Sequence, residues 1–207
     1  MKTLKKLFLD GLAEIYDTES RLVWSMPQMA AAATCPHLRE AILSHLQETK
    51  AHVAKIELIF QSLGERTRRK TSEATIAFVN ESQDIMTRFR GFPVVNAALI
   101  AAVQKIEHYE IASYGCLRDW ATVLHNSEAA DILQEILNED KATNQALTEL
   151  ARSRSNQQAL SEHATNGVKP LEADAETEIE TAIEQLETEA PTHEPSLLGV
   201  CHMAAVG

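Results

Sequence analysis

Two glutamates three residues apart, Glu107 and Glu110 in the stretch IEHYEIASYG (106–115), stand among Leu99, Val103, Ile106 and Leu117, which recur at the spacing of one helical stripe. At about 100° per residue, Glu110 falls near the centre of that stripe, with Glu107 and Tyr114 on its flanks. A carboxylate so placed is unfavourable unless it is paired or bound to a metal, because desolvating the ion costs several kcal/mol.

Three other segments repeat the pattern. Glu19 fills a gap in the stripe Phe8, Leu12, Ile15, Leu22 and Met26. His45, Glu48 and His52 line one side of the stripe Leu38, Ile42, Leu46, Val53, Ile56, Phe60 and Leu63, with Thr49 nearer its centre. Asp140 is bracketed by Ile132, Leu133, Ile136, Leu147 and Leu150, with Glu139 on the flank and Thr143 beside it. Gathered at one level, Glu19, Glu48, His52, Glu107, Glu110 and Asp140 or Glu139 would crowd several negative charges together, which requires cations. Two divalent ions answer that need. Hard oxygen donors with one or two imidazoles suit iron, then manganese, better than structural zinc.

Competing readings attach to several of these residues. Glu48 and Glu107 lie at the edges of their stripes, where exposure or a surface salt bridge competes with ligation. His45 taken alone reads as a core or boundary histidine before a ligand, and His108 points away from its stripe as a surface residue. Tyr16, Tyr109 and Tyr114 fit packing as well as redox or hydrogen-bonding roles near a metal. Trp24 and Trp120 read as core or interface residues, and an aromatic edge would support a homodimer.

The elements that must carry these residues are long helices. Apolar periodicity predicts one from Thr3 to Ala33, ended by Cys35-Pro36, and a second from about Pro36 to Leu63, stopped by Gly64. After the polar loop GERTRRKTS, a shorter helix spans Glu73 to Phe89. A third long helix covers Val94 to Leu124, and a fourth, capped by Asn126 or Ser127, runs to about Arg152. This is an all-α, antiparallel four-helix bundle with a short extra helix in the crossover between helices 2 and 3. Residues 1–154 form the bundle, and 155–207 an acidic tail too polar to order itself, within which LEADAETEIETAIEQLE (171–187) has the stripe of a marginal or partner-induced helix.

Composition narrows the function classes. The formal charge is −11, of which −9 falls from Ser155 onward, with 10 acidic residues against one basic. Such a field repels nucleic acid and anionic membrane, and the cluster Arg66, Arg68, Arg69, Lys70 is too short to reverse it. No signal peptide is expected at the start, where Asp10 and Glu14 interrupt the apolar residues, nor any apolar run of about 18 that would span a membrane. Cys35, Cys116 and Cys201 are odd in number and unpatterned, which points to free thiols in a reducing cytoplasm.

Four stretches together, YDTESRL, HLQETKAHVAKIELIFQSLGE, AALIAAVQKIEHYEIASYG and ILNEDKATNQALTELA, resemble the YciE/YciF family of bacterial stress proteins, over about residues 4 to 152. The resemblance implies a ferritin-like bundle, a dimer and a dinuclear metal centre akin to that of rubrerythrin, whose Glu-x-x-Glu pair Glu107 and Glu110 match. It further implies Glu19 as the first-helix ligand, Glu48 with His52 or His45 on the second, and Glu139 or Asp140 on the fourth. The ferritin Glu-x-x-His pattern is missing from the second and fourth helices, and Asn144 stands where a more acidic residue is common. The expected function is handling of metal with O2 or hydrogen peroxide under stress, as a ferroxidase, peroxidase or catalase-like oxidoreductase. The alternative is a non-enzymatic stress or interaction protein whose inward carboxylates are structural or bind metal without turnover.

Overall fold

The computed structural model describes residues 3–161, and the tail's expected helix lies outside them. Five main helices carry the fold: α1 (Leu4–Ala32), α2 (Pro36–Ser62), α3 (Glu73–Arg88), α4 (Val94–Val123) and α5 (Ser127–Leu150). No strand occurs among the described residues. The expected ferritin-like four-helix bundle is observed, with α3 in the crossover.

Local chemistry sets the helix ends. The Thr3 side chain accepts from Lys6 N to start α1, Ser72 accepts from Thr75 N to start α3, and Asn126, rather than Ser127, accepts from Ala129 N to start α5. Between α1 and α2 the chain reverses in three residues. Asn96 of α4 clamps that turn: its Oδ1 accepts from Thr34 N (2.9 Å) and Cys35 N (3.1 Å), and its Nδ2 donates to Thr34 Oγ1 (2.7 Å). Gly64, at φ 67°, ends α2 in a conformation that costs other residues strain.

Contacts fix the directions. Thr34 and Cys35 at the end of α1 meet Asn96 at the start of α4, so α1 and α4 are antiparallel and α2 and α4 run the same way. That requires the crossover to travel back along the whole bundle. It does so beside α1, through Arg68–Asp10 (2.5 Å), Lys70–Glu14 (2.7 Å) and Ser72 N–Asp17 Oδ2 (3.1 Å), before Thr75 meets Thr18 at 2.8 Å.

The apolar core is split in two. One cluster gathers Leu22, Met26, Met29, Leu38, Ile42, Leu46, Leu99 and Val103 with their neighbours, and the other gathers Phe8, Leu12, Ile15, Ile56, Phe60, Leu117, Leu133 and Ile136. Burial of each such side chain contributes roughly 1.5–3 kcal/mol. What lies between them is polar.

Three details depart from the sequence expectation. Of the two places expected for Trp24, core or interface, the core is excluded, because the residue is 56% exposed. Val53 and Ile132 are only half-buried, whereas Ile59 is fully buried. The helical chain also continues past the composition change at Ser155: Ala151–Ser155 forms a π-helical turn, Ser155 is buried, and α6 (Asn156–Ser161) packs against α4.

Candidate metal centre

The polar layer between the two apolar clusters contains Glu19, His45, His52, Glu107, Glu110 and Asp140, none more than 3% exposed. All four bundle helices contribute. On α4, Glu107 and Glu110 project from adjacent turns toward the same interior, and Tyr114 follows one turn later. On α2, His45 and His52 are seven residues apart, two turns, and so share a face.

Each histidine spans from a buried carboxylate to a half-exposed one. His45 Nε2 lies 2.8 Å from Glu107 Oε1, and its Nδ1 lies 3.4 Å from Glu48 Oε2, which also accepts from Thr143 Oγ1 at 3.1 Å. His52 Nδ1 lies 3.3 Å from Glu19 Oε1 and 3.8 Å from Asp140 Oδ1, while its Nε2 is 2.8 Å from Glu139 Oε2. Glu139 is in turn held by Lys55, whose Nζ lies 3.1 Å from both of its oxygens. The side chains of Glu48 and Glu139 are 40% and 33% exposed.

The structure therefore brings Glu19, His52, Glu107, Glu110 and Asp140 together as expected, and places Glu48 and Glu139 on the outer side of the two imidazoles. His45, which reads from sequence as a core or boundary histidine and, by the family resemblance, as an alternative to His52, belongs to the layer. Its seven-residue spacing from His52 is the signal that points to it. His108 is exposed, its Nδ1 on the Gln104 carbonyl. Tyr16 is turned outward to Glu57, whereas buried Tyr114 donates to Glu19 Oε1 at 2.5 Å and meets the His52 ring edge-on. Asn144 is tied to Gln104 by a 3.1 Å hydrogen bond.

Electrostatics expose the strain in this layer. Glu19 Oε2 and both oxygens of Glu107, Glu110 and Asp140 have no hydrogen-bond partner among the described residues. Nor has His45 Nε2, since its 2.8 Å approach to Glu107 lacks hydrogen-bond alignment. Burial raises the Glu110 carboxyl well above its ordinary range, with the charges of Glu19, Asp140 and Glu107 adding to it. Burial and Glu19 push Asp140 up to about 8, against the opposing pull of His52. For His45, burial works toward loss of the proton, but Glu107 and Glu48 outweigh it and raise the imidazole to about 10. For His52, Glu19, Asp140 and Glu139 overcome burial and raise it to about 9.

Cations would relieve this strain. Without metal the layer keeps protons on Glu110, Asp140 and both imidazoles, whereas two divalent ions balance four ionised carboxylates with both imidazoles neutral. The donor atoms are also close enough. One ligand atom from each of His45, Glu107 and Glu110 lies within 4.8 Å of the others, so this buried group can hold a metal ion. Metal–ligand distances of about 2.1 Å put adjacent ligand atoms roughly 3 Å apart, which is the kind of unaligned approach that His45 makes to Glu107.

Fold and layer together define a ferritin-like bundle with a buried histidine–carboxylate centre able to hold metal. Residues 3–160 match the family described as Domain of unknown function (DUF892), and the chain belongs to that family. It is 36% identical to Protein YciF of Escherichia coli (strain K12) over 160 residues, 77% of this chain and 96% of that protein. The crystal structure of the Escherichia coli stress protein YciF superimposes with a TM-score of 0.73 at 35% identity, covering 76% of this chain and 99% of that one. YcfI of Rhodopseudomonas palustris gives 0.69 at 33% identity over 71% and 94%. A Xanthomonas campestris pv. campestris protein, at 20% identity and a TM-score of 0.61 over 77% and 98%, shares the fold. The resemblance to the YciE/YciF family drawn from sequence is thereby borne out. No helix among the described residues is long and apolar enough to cross a membrane.

Proposed function

We propose that this is a stress-associated metalloprotein whose polar layer holds two divalent ions, iron ahead of manganese, and handles them with O2 or hydrogen peroxide. The observation that carries this reading is the set of seven buried, unpartnered carboxylate oxygens facing one another with His45 Nε2. In it, His45, Glu107 and Glu110 form one half of the ligand set and Glu19, His52 and Asp140 the other. Glu48 and Glu139 act from outside, each fixing the orientation of one imidazole through its second ring nitrogen.

Bound metal would supply redox chemistry toward a small oxidant of the ferroxidase, peroxidase or catalase type. The protein's part is to fix donor geometry and exclude water. Tyr114 does so by occupying Glu19 Oε1, which leaves Oε2 as the atom free to coordinate. The two apolar clusters above and below the layer keep reactive products from the surroundings. The exposed side chains of Trp24, Leu43 and Leu58 offer apolar surface that a homodimer would cover, and the thiols Cys35 and Cys116, free in this structure, suit a cytoplasmic location.

A second reading has its own support: Glu19 Oε1 is already satisfied by Tyr114 and His52, and the name attached to YcfI proposes a structural role for that protein. In that case the layer binds metal without turnover, or holds protons instead. Metal content per chain after growth with iron or manganese, followed by exposure of the anaerobic Fe(II) form to O2 or hydrogen peroxide, separates the readings. About two ions per chain with rapid oxidation supports the first, and stoichiometric metal with no oxidation supports the second.

A further inference from the structure

Both partly exposed carboxylates that contact the buried histidines, Glu48 and Glu139, stand at the seam between α2 and α5, each one residue beyond a buried imidazole. Thr143, one turn after Glu139 on α5, donates to Glu48, so the two carboxylates stand about one helical turn apart along the seam. Behind them lie the unpartnered oxygens of Glu107, Glu110 and Asp140. A positive charge already sits there: Lys55, whose side chain is 21% exposed, contacts both oxygens of Glu139 and one of Glu135 at 3.1 Å.

We propose that the α2–α5 seam is the route by which divalent cations reach the buried centre, with Glu48 and Glu139 as transit ligands and the Lys55 ammonium as a removable plug on Glu139. This deepens the reading of the layer as a metal centre and rests on it. A cation arriving at Glu48 and Glu139 displaces Lys55 from Glu139, passes inward between the imidazoles, and Lys55 then returns to its two carboxylates. The plug slows passage in both directions. It therefore acts on rates and leaves the number of ions held at equilibrium unchanged.

The test uses the full chain with Co(II) alone as probe, followed by its visible absorbance on rapid mixing, and then stripping of the loaded protein by excess EDTA. Lys55→Met should accelerate loading and stripping alike, several-fold each, at unchanged Co(II) per chain, and Lys55→Arg should restore slow exchange. Glu48→Gln and Glu139→Gln should each slow loading by a larger factor than the fall in equilibrium Co(II) affinity that follows from their hold on the imidazoles, while Glu149→Gln on the exposed face of α5 serves as the charge control. Faster loading of Lys55→Met with unchanged stripping would reduce Lys55 to a long-range charge effect and overturn the plug. Loading rates in Glu48→Gln and Glu139→Gln equal to that of the control, or slowed no more than their equilibrium affinity falls, would overturn the route. Absence of Co(II) binding by the unaltered protein would instead remove the metal-centre reading itself.

Discussion

Tyr114 and Glu19 are joined across the α1–α4 interface by a 2.5 Å hydrogen bond between two fully buried side chains. The phenol fixes one oxygen of the carboxylate and leaves the other unpartnered. Burial, followed by the Glu19, Asp140 and Glu110 charges, raises the Tyr114 hydroxyl well above its ordinary value, so it stays a donor at every physiological pH. In Tyr114→Phe the Glu19 carboxylate loses its donor in a dry site. We expect the metal-free protein to lose about 1–3 kcal/mol in urea unfolding, and an unchanged midpoint would show that His52 alone suffices.

Glu110 behaves in the opposite way. Its carboxyl is held protonated by burial and by its acidic neighbours, so Glu110→Gln replaces one neutral group by another of the same shape. The metal-free variant should melt at the same temperature as the parent or higher. Metal content per chain should fall, and a variant that keeps its full complement would remove Glu110 from the ligand set.

The same layer predicts how stability depends on pH. Asp140 at about 8, His52 at about 9 and His45 at about 10 all hold protons more tightly than in the unfolded chain, where the values are 3.8 for Asp and 6.5 for His. A group raised in this way stabilises the fold fully below its unfolded value, and the contribution is lost as pH rises through its folded value. Metal-free protein should therefore melt at progressively lower temperature as pH rises from about 4, where Asp140 starts to contribute, to about 10, where His45 stops. Saturating metal should reverse the slope at its acidic end, because coordination requires the ligands to be deprotonated. Scanning fluorimetry with and without chelator measures both, and a flat metal-free profile would contradict the assignment.

Away from the layer, Asn96 ties the start of α4 to the turn between α1 and α2 through three hydrogen bonds. Asn96→Ala would leave the Thr34 and Cys35 amides unsatisfied at the turn between α1 and α2, costing roughly 2–4 kcal/mol. Asn96→Asp, which keeps the acceptor, should recover most of that in the same denaturation series.

Helical periodicity was enough to find the bundle, the crossover and the inward carboxylates, because an apolar stripe fixes a direction and Glu19, Glu110 and Asp140 break it near its centre. At the stripe edges it loses power. Glu48 and Glu107 read alike from sequence, yet Glu107 is buried and Glu48 is not, since the outcome depends on which neighbouring helix covers that edge. His45 stayed an alternative to His52 for the same reason: judged alone at a boundary it has no partner, and only α4 packed against α2 supplies Glu107. The outward turn of Trp24 and the π-helical turn after Leu150 depend on packing that no local pattern encodes.

The crossover that travels back along α1 divides the molecule into two hairpins of consecutive helices, α1 with α2 and α4 with α5. Glu19, His45 and His52 belong to the first, and Glu107, Glu110 and Asp140 to the second. Neither hairpin owns a complete set of donors. Two fragments produced by a single cut in the 64–72 loop would each carry half a centre, and a metal ion shared between them would act as the rivet that reassembles the whole.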